Sequence, residues 1–198
     1  MAKLFRPGNP KDILAARWEI EFEDVFHFKH LYRLAHEFLE ENEWEDPEGG
    51  DKWEYFYFER IIPVSNLREH RIWWRVQYIP HESQYIRYLM KIDFRTLMMK
   101  SHEVVVDNQK YKTWKGDLIL NCECWLQLDY QNKWSEHWLL KHLEKFFWER
   151  IYKKYWEAHK LEAYNKAYEF NNELKRFLKM KTPLRERKGF RGEKGIPS

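Results

Sequence analysis

The feature that most constrains this chain is a change of hydrophobic period between Asp117 and Met180. Leu118, Leu120, Cys122, Cys124, Leu126, Leu128 and Tyr130 alternate with Ile119, Asn121, Glu123, Trp125, Gln127 and Asp129. A period of two places one apolar and one mixed face on a long strand. After the polar break Gln131-Asn132-Lys133, the spacing of Trp138, Leu139, Leu143, Phe146, Phe147, Ile151, Tyr152, Tyr155, His159, Ala163, Ala167, Phe170, Leu174 and Phe177 becomes helical. Thr182-Pro183 stops that run, because proline lacks the amide donor and disfavours helical backbone in the residue before it.

Upstream the same reasoning gives shorter elements. Residues 1–12 carry Pro7, Gly8 and Pro10 and read as a loose arm. Ile13 to Arg17 either starts a short helix or leads directly into the first strand, where Trp18, Ile20 and Phe22 alternate with Glu19, Glu21 and Glu23. Asp24 is placed to cap a helix running to about Asn42, with Val25, Phe28, Leu31, Ala35, Phe38 and Leu39 on its apolar face. An acidic loop follows from Glu45 to Asp51. Strands are then expected over Trp53–Ile62, His70–Ile79 and Gln84–Arg95. A short hairpin of His102–Val106 and Lys110–Trp114 turns at Asp107-Asn108, and Lys115-Gly116 turns into the long strand.

This order of strand, helix, several strands and a final helix predicts an α+β fold. A curved antiparallel sheet of about six to seven strands packs on a long C-terminal helix. One domain is expected over residues 18–180, between an arm at 1–17 and a tail at 181–198. Over roughly residues 18–160 the element order resembles the helix-grip fold of the START and polyketide-cyclase-like superfamily. No motif carries the likeness, and the chain has one clear helix after its first strand where that family normally has two.

The resemblance implies an apolar cavity between sheet and helix. Its lining would be Trp74 and Val76, then Tyr88, Met90, Ile92 and Phe94, then Cys122, Cys124 and Leu126, with Phe147 and Ile151 from the helix. Rings with methionine and a few polar groups suit an apolar ligand. The competing reading is a packed core, since protein interiors are normally filled.

The final helix divides in two. From Trp138 to Trp156 it is apolar nearly all round and must be buried on several sides. From Glu157 it is amphipathic, with Glu162 and Lys166 spaced as an exposed ion pair. A continuous helix of some 45 residues would span about 65 Å. Either its outer half projects and offers Phe170, Leu174 and Phe177 to a partner or second copy, or the helix breaks near Asn165 or Asn171-Asn172 and folds back.

Little points to catalysis or metal. Cys122-Glu123-Cys124 supplies half a tetrahedral site, and His27 with His30 shares one helix face, but no further ligands complete either set. Gly49-Gly50 lacks the phosphate-loop pattern, and no GxSxG elbow occurs. Neither metal nor cofactor is expected, no catalytic residue is assigned, and an enzyme using the cavity stands only as an alternative.

The net charge of +3 is uneven. Lys179 to Ser198 holds seven basic and two acidic residues, so this segment carries +5 and the remainder −2. Arg185, Arg187, Lys188, Arg191 and Lys194 could neutralise phosphates and Phe190 stack on a base, although such a run is commonly just a solvated end. With two cysteines, no bilayer-length apolar run and no leader-like N-terminus, a cytoplasmic location is expected. The preferred reading is a non-catalytic domain that binds an apolar ligand or serves as an interaction scaffold, with a basic tail. A protein-binding or self-associating module, acting through the outer helix, is the runner-up, and a nucleic-acid or ribonucleoprotein factor, acting through the tail, is a further alternative.

Overall fold

The computed structural model describes residues 12–49, 53–106, 109–140, 146–147, 150 and 152–180. Five strands, β1 (Ile13–Phe26), β2 (Glu54–Ile62), β3 (Leu67–Tyr78), β4 (Ile86–Val106) and β5 (Gln109–Leu128), form one antiparallel sheet. Their order is β1-β5-β4-β3-β2. Among the described residues two continuous α-helices accompany them, α1 (Phe28–Glu41) and α2 (Lys153–Phe177). Strands β2 to β5 follow one another as a meander, while β1 and β2 occupy opposite edges. Helix α1 joins those two edges across one face, which makes that face the inner one.

The alternation seen in the sequence sets the inner face. Ile72, Trp74 and Val76 on β3, Tyr88 to Phe94 at every second position on β4, and Leu118 to Leu128 likewise on β5 are at most 1% exposed. Each large apolar side chain buried this way contributes about 1.5–3 kcal/mol. Helix α2 lies over β1 and β5, with the small residues Ala163 and Ala167 fully buried. The Trp18 indole donates a buried hydrogen bond to the Ala167 carbonyl at 3.0 Å, and its ring lies 5.9 Å from that of Phe170. Phe38 of α1 packs on Phe170 from the other side at 5.5 Å.

Several expected boundaries shift. Strand β1 already begins at Ile13 and continues to Phe26, where Val25 and Phe26 pair with Lys115 and Trp114. The helix therefore starts later than Asp24, at Phe28, and His27 caps it by accepting from the His30 amide. Five strands replace the expected six or seven because the expected Gln84–Arg95 strand and the short hairpin merge. β4 runs for 21 residues and β5 for 20, paired from Ile86↔Leu128 to Val106↔Gln109. The turn at Asp107-Asn108 lies outside the described residues.

Where the sequence shows broken alternation, at Leu97-Met98-Met99 and Lys115-Gly116, the ladder has a bulge rather than a turn. Its register shifts between Leu97 and Lys100, and Met98 takes φ of +51°. Gly116 faces this bulge so closely that a Cβ there would lie 2.8 Å from the Leu97 carbonyl oxygen and 2.8 Å from Met99 Sδ. The extra residue bends and twists a hairpin too long to stay flat.

The expected final helix is not one continuous element: helical backbone occurs at Leu140, Phe146, Phe147 and Arg150, and a separate helix starts after Tyr152. Trp134 to Leu139 forms turns, with the Trp134 and Ser135 amides and the Ser135 hydroxyl donating to the Asp129 carboxylate. Helix α2 has 25 residues, about 38 Å, and does not break at Asn165 or Asn171-Asn172. It ends at Phe177, where Lys179 enters the left-handed region at φ of +53° and Met180 N returns to the Lys175 carbonyl. No described helix is long and apolar enough to cross a membrane.

Gly116→Ala should cost about 1–3 kcal/mol of stability, read as a lower urea midpoint at unchanged slope, because backbone and Met99 must both retreat. An unchanged midpoint would show that the bulge has slack.

Candidate ligand-binding cleft

The two helices approach the sheet differently. Helix α2 comes close through alanines, whereas α1 rests on large rings. Tyr32 meets Trp74 edge-on at 4.7 Å, Trp74 meets Phe94 at 4.8 Å, and His36 stacks on Trp53 at 4.2 Å. Phe28 at the start of α1 stacks on His70 of β3 at 4.9 Å. This ring layer fills the interior but leaves the side of α1 facing edge strand β2 uncovered.

There the surface opens into a cleft of about 400 Å³ lined by Phe28, Lys29, Tyr32, Glu54 and Tyr57. A recess of about 160 Å³ shares Phe28, Lys29 and Tyr57 with it and extends to Glu59, Arg68, His70, Met99 and Trp114. The strand pairing explains which β2 residues face inward. Tyr57 pairs with inner Ile72 and Glu59 with inner His70, while a bulge between Glu54 and Phe56 turns Glu54 inward as well.

Its polar groups are held in place. The Tyr32 hydroxyl donates to Glu54 Oε2 at 2.5 Å. Burial first, and then Glu54, push that phenol's pKa well up, so it stays a donor. Burial likewise raises the Tyr57 phenol, with the Glu59 and Glu54 charges adding to the effect. Thr96 Oγ1 accepts from the His70 amide at 3.0 Å and lies 2.8 Å from His70 Nδ1. On the other side of the ring, His70 Nε2 lies 3.7 Å from Glu59 Oε1. Burial lowers the His70 pKa against the pull of Glu59, so the ring is neutral near pH 7. Arg68 donates to Glu59 at 3.0 Å and lies 5.0 Å over the Trp114 ring.

The residues expected to line an enclosed cavity sit elsewhere. Trp74, Val76, Tyr88, Met90, Ile92, Phe94, Cys122, Cys124 and Leu126 are packed in the core at no more than 1% exposure. Phe147 stacks on Tyr152 at 5.2 Å and lies 4.8 Å from Trp134, and Ile151 falls outside the described residues. Phe170 and Leu174, expected to face a partner, are fully buried against the chain's own β1 and α1, and Phe177 is half-buried. The helix lies on the sheet, so its apolar stripe is already covered. Arg185, Arg187, Lys188, Phe190, Arg191 and Lys194 also lie outside the described residues.

A second polar group braces the opposite end of the sheet. Tyr88 Oη lies 2.6 Å from His159 Nδ1 and donates to Glu162 Oε2 at 2.8 Å. Glu162 and Lys166 therefore make no simple surface pair. Glu162 holds the tyrosine, and the Lys166 ammonium lies 4.0 Å over the Tyr78 ring. Burial raises the Tyr88 pKa strongly, with Glu162 reinforcing it. Burial also lowers the His159 pKa, with His81 acting the same way and Glu162 opposing.

Both cysteine thiols are buried and free. Burial pushes Cys122 well up and Cys124 up to about 12. Among the described residues no three histidines, cysteines or carboxylates gather as a metal site. The sequence reading missed the cleft because it assigned Phe28 to the helix's core face and read β2 simply as an aromatic strand. One signal was available. Tyr55-Phe56-Tyr57-Phe58 puts rings on both faces, which an inner-face pattern does not require. Compared with protein-family models and with curated proteins, the sequence shows no match.

His70 and His159 both have folded pKa values below about 6.5, so between those values and 6.5 the unfolded chain binds more protons. Stability should be full above that window and fall as the pH is lowered through it. Urea midpoints between pH 7.5 and roughly pH 5 should show this loss, with a shallower fall in His70→Gln and His159→Gln. Equal slopes in all three proteins would remove the histidines as its source.

Proposed function

We propose that this chain is a non-catalytic binding domain whose site is the open cleft between α1 and β2. It takes a flat apolar ligand with a polar end. The observation that carries this reading is the contrast between a filled sheet–helix interior and a ring-walled opening beside it. At about 400 Å³ the cleft is within the size range of small-molecule sites. Phe28, Tyr32 and Tyr57 offer apolar ring surface, and Lys29 and Glu54 can orient a polar group. A depression of about 360 Å³ at the other end, among Glu43, Glu45, Ser83, Gln84 and Gln131, is more polar and suits such a ligand less well. The helix-grip-like element order supports a ligand-binding role, with the ligand displaced from the sheet's interior to its side.

Anilinonaphthalene sulfonate, a planar apolar probe with an acidic end, provides the test. It should bind saturably with one site per chain. Tyr57→Ser and Phe28→Ser should each weaken it about tenfold. Tyr57 is 48% exposed, so its replacement should leave the fold intact. Binding that ignores both changes would sink the assignment.

The basic segment supports a second contact, with nucleic acid, through Arg185, Arg187, Lys188, Phe190, Arg191 and Lys194. Its affinity for single-stranded RNA should fall steeply with salt and vanish on truncation at Thr182. Binding that survives truncation would place the contact elsewhere.

A further inference from the structure

The sheet's two edges are unlike. At the β1 edge the outward side chains Glu19, Glu21 and Glu23 carry like charge, a bulge interrupts the strand between Leu14 and Ala16, and α2 covers the inner face. Such features discourage strand pairing. At the β2 edge the bulge lies only at the start of the strand, between Glu54 and Phe56, and the regular stretch beyond it carries charges of both signs, Glu59 and Arg60, in place of a like-charged row. No described strand pairs with its outer side, and Phe56, Tyr57 and Phe58 are 37%, 48% and 45% exposed. Trp73 extends the apolar surface, its ring 4.5 Å from that of Phe56. An aromatic edge that pairs regularly from Phe56 onward is a template for another strand.

We propose that the partner on this edge is a second copy of the chain, paired antiparallel through β2 about a two-fold axis at Phe58. The register follows from symmetry and charge. Opposed residues in an antiparallel pair share a face, so an axis perpendicular to the sheet must pass through one residue and its copy. Regular pairing begins at Phe56, after the bulge. Centring on Phe58 uses Phe56 to Arg60 in full. It places Phe56 against the partner's Arg60 on the outer face and Tyr57 against the partner's Glu59 on the inner face. Centring on Glu59 would oppose two carboxylates, and centring on Tyr57 would run into the bulge. Among the described residues the Arg60 side chain makes no ion pair or hydrogen bond, so a ring of the second copy can pack against it. The partner's Glu59 would also stand beside Tyr57 in the cleft, so each copy completes the wall of the other's site. The dimer itself does not depend on the ligand assignment.

Sedimentation and a designed crosslink test this. The native chain should sediment at twice the chain mass at tens of micromolar, and Phe58→Lys should sediment as a monomer with an unchanged circular dichroism spectrum and a melt that no longer depends on protein concentration. The chain's two cysteines are buried, so a thiol introduced by Phe58→Cys is the accessible one. It should form a disulfide dimer at least tenfold faster than Val64→Cys, which is fully exposed but beyond the strand. If Phe58→Lys fails to fold, this rate ratio decides. A native chain that stays monomeric at its highest soluble concentration, whether or not it captures an extended peptide, overturns the proposal. So does a dimer indifferent to Phe58→Lys, or equal crosslinking at the two positions.

Discussion

The structure depends on covering the inner face of the paired central strands β4 and β5. Together they present two parallel rows of fully buried side chains, from Tyr88 to Phe94 and from Leu118 to Leu128. Left in water, that surface would forfeit about 25 cal/mol for each square ångström of apolar area. Two helices cover it in different ways. Ala163 and Ala167 let α2 sit close to β1 and β5, where the Trp18 indole can reach the Ala167 carbonyl. On the other half, Tyr32, His36, Trp53, Trp74 and Phe94 form a ring layer between α1 and the sheet.

That asymmetry places the cleft. Small residues under one helix allow the interior to close, whereas large rings under the other fill it at the cost of a wider gap at the side. The gap ends at an edge strand with no neighbour beyond it, and the rings of Phe28 and Tyr57 remain open to solvent there. The buried histidines are matched in pairs and triads. His70 is satisfied by Thr96, and Tyr88 by His159 and Glu162, so burial lowers both histidine pKa values without leaving a charge unpaired.

The outer face is organised by charge instead. Arg75 pairs with Asp93 at 2.7 Å, and Glu123 lies between Arg17 and Lys91. Arg87, nearly buried, donates to Gln127 and Gln77 and lies 4.9 Å over the Tyr130 ring. A sheet face ordered this way need not be covered by a further layer. The aromatic end at Phe56, Phe58 and Trp73 departs from that pattern.

Period and punctuation made much of the fold legible. The inner-face residues of β4 and β5, the first strand with its helix, and the α+β layering all follow from spacing in the chain, because alternation and helical periodicity are local properties. The merging of β4 with the expected hairpin was not legible. Lys115-Gly116 reads as a turn until it is set opposite Leu97-Met98-Met99 as a bulge. Nor could spacing show that the stripe of Phe170 and Leu174 meets Trp18 and Phe38 rather than a partner. The sequence by itself determined which faces are apolar and where the chain changes from strand to helix. Only the tertiary structure decided which apolar face covers which, and therefore that the interior is filled and the opening lies at the side. The reason is that side-chain volume acts across the gap between elements far apart in sequence, where no local period can record it.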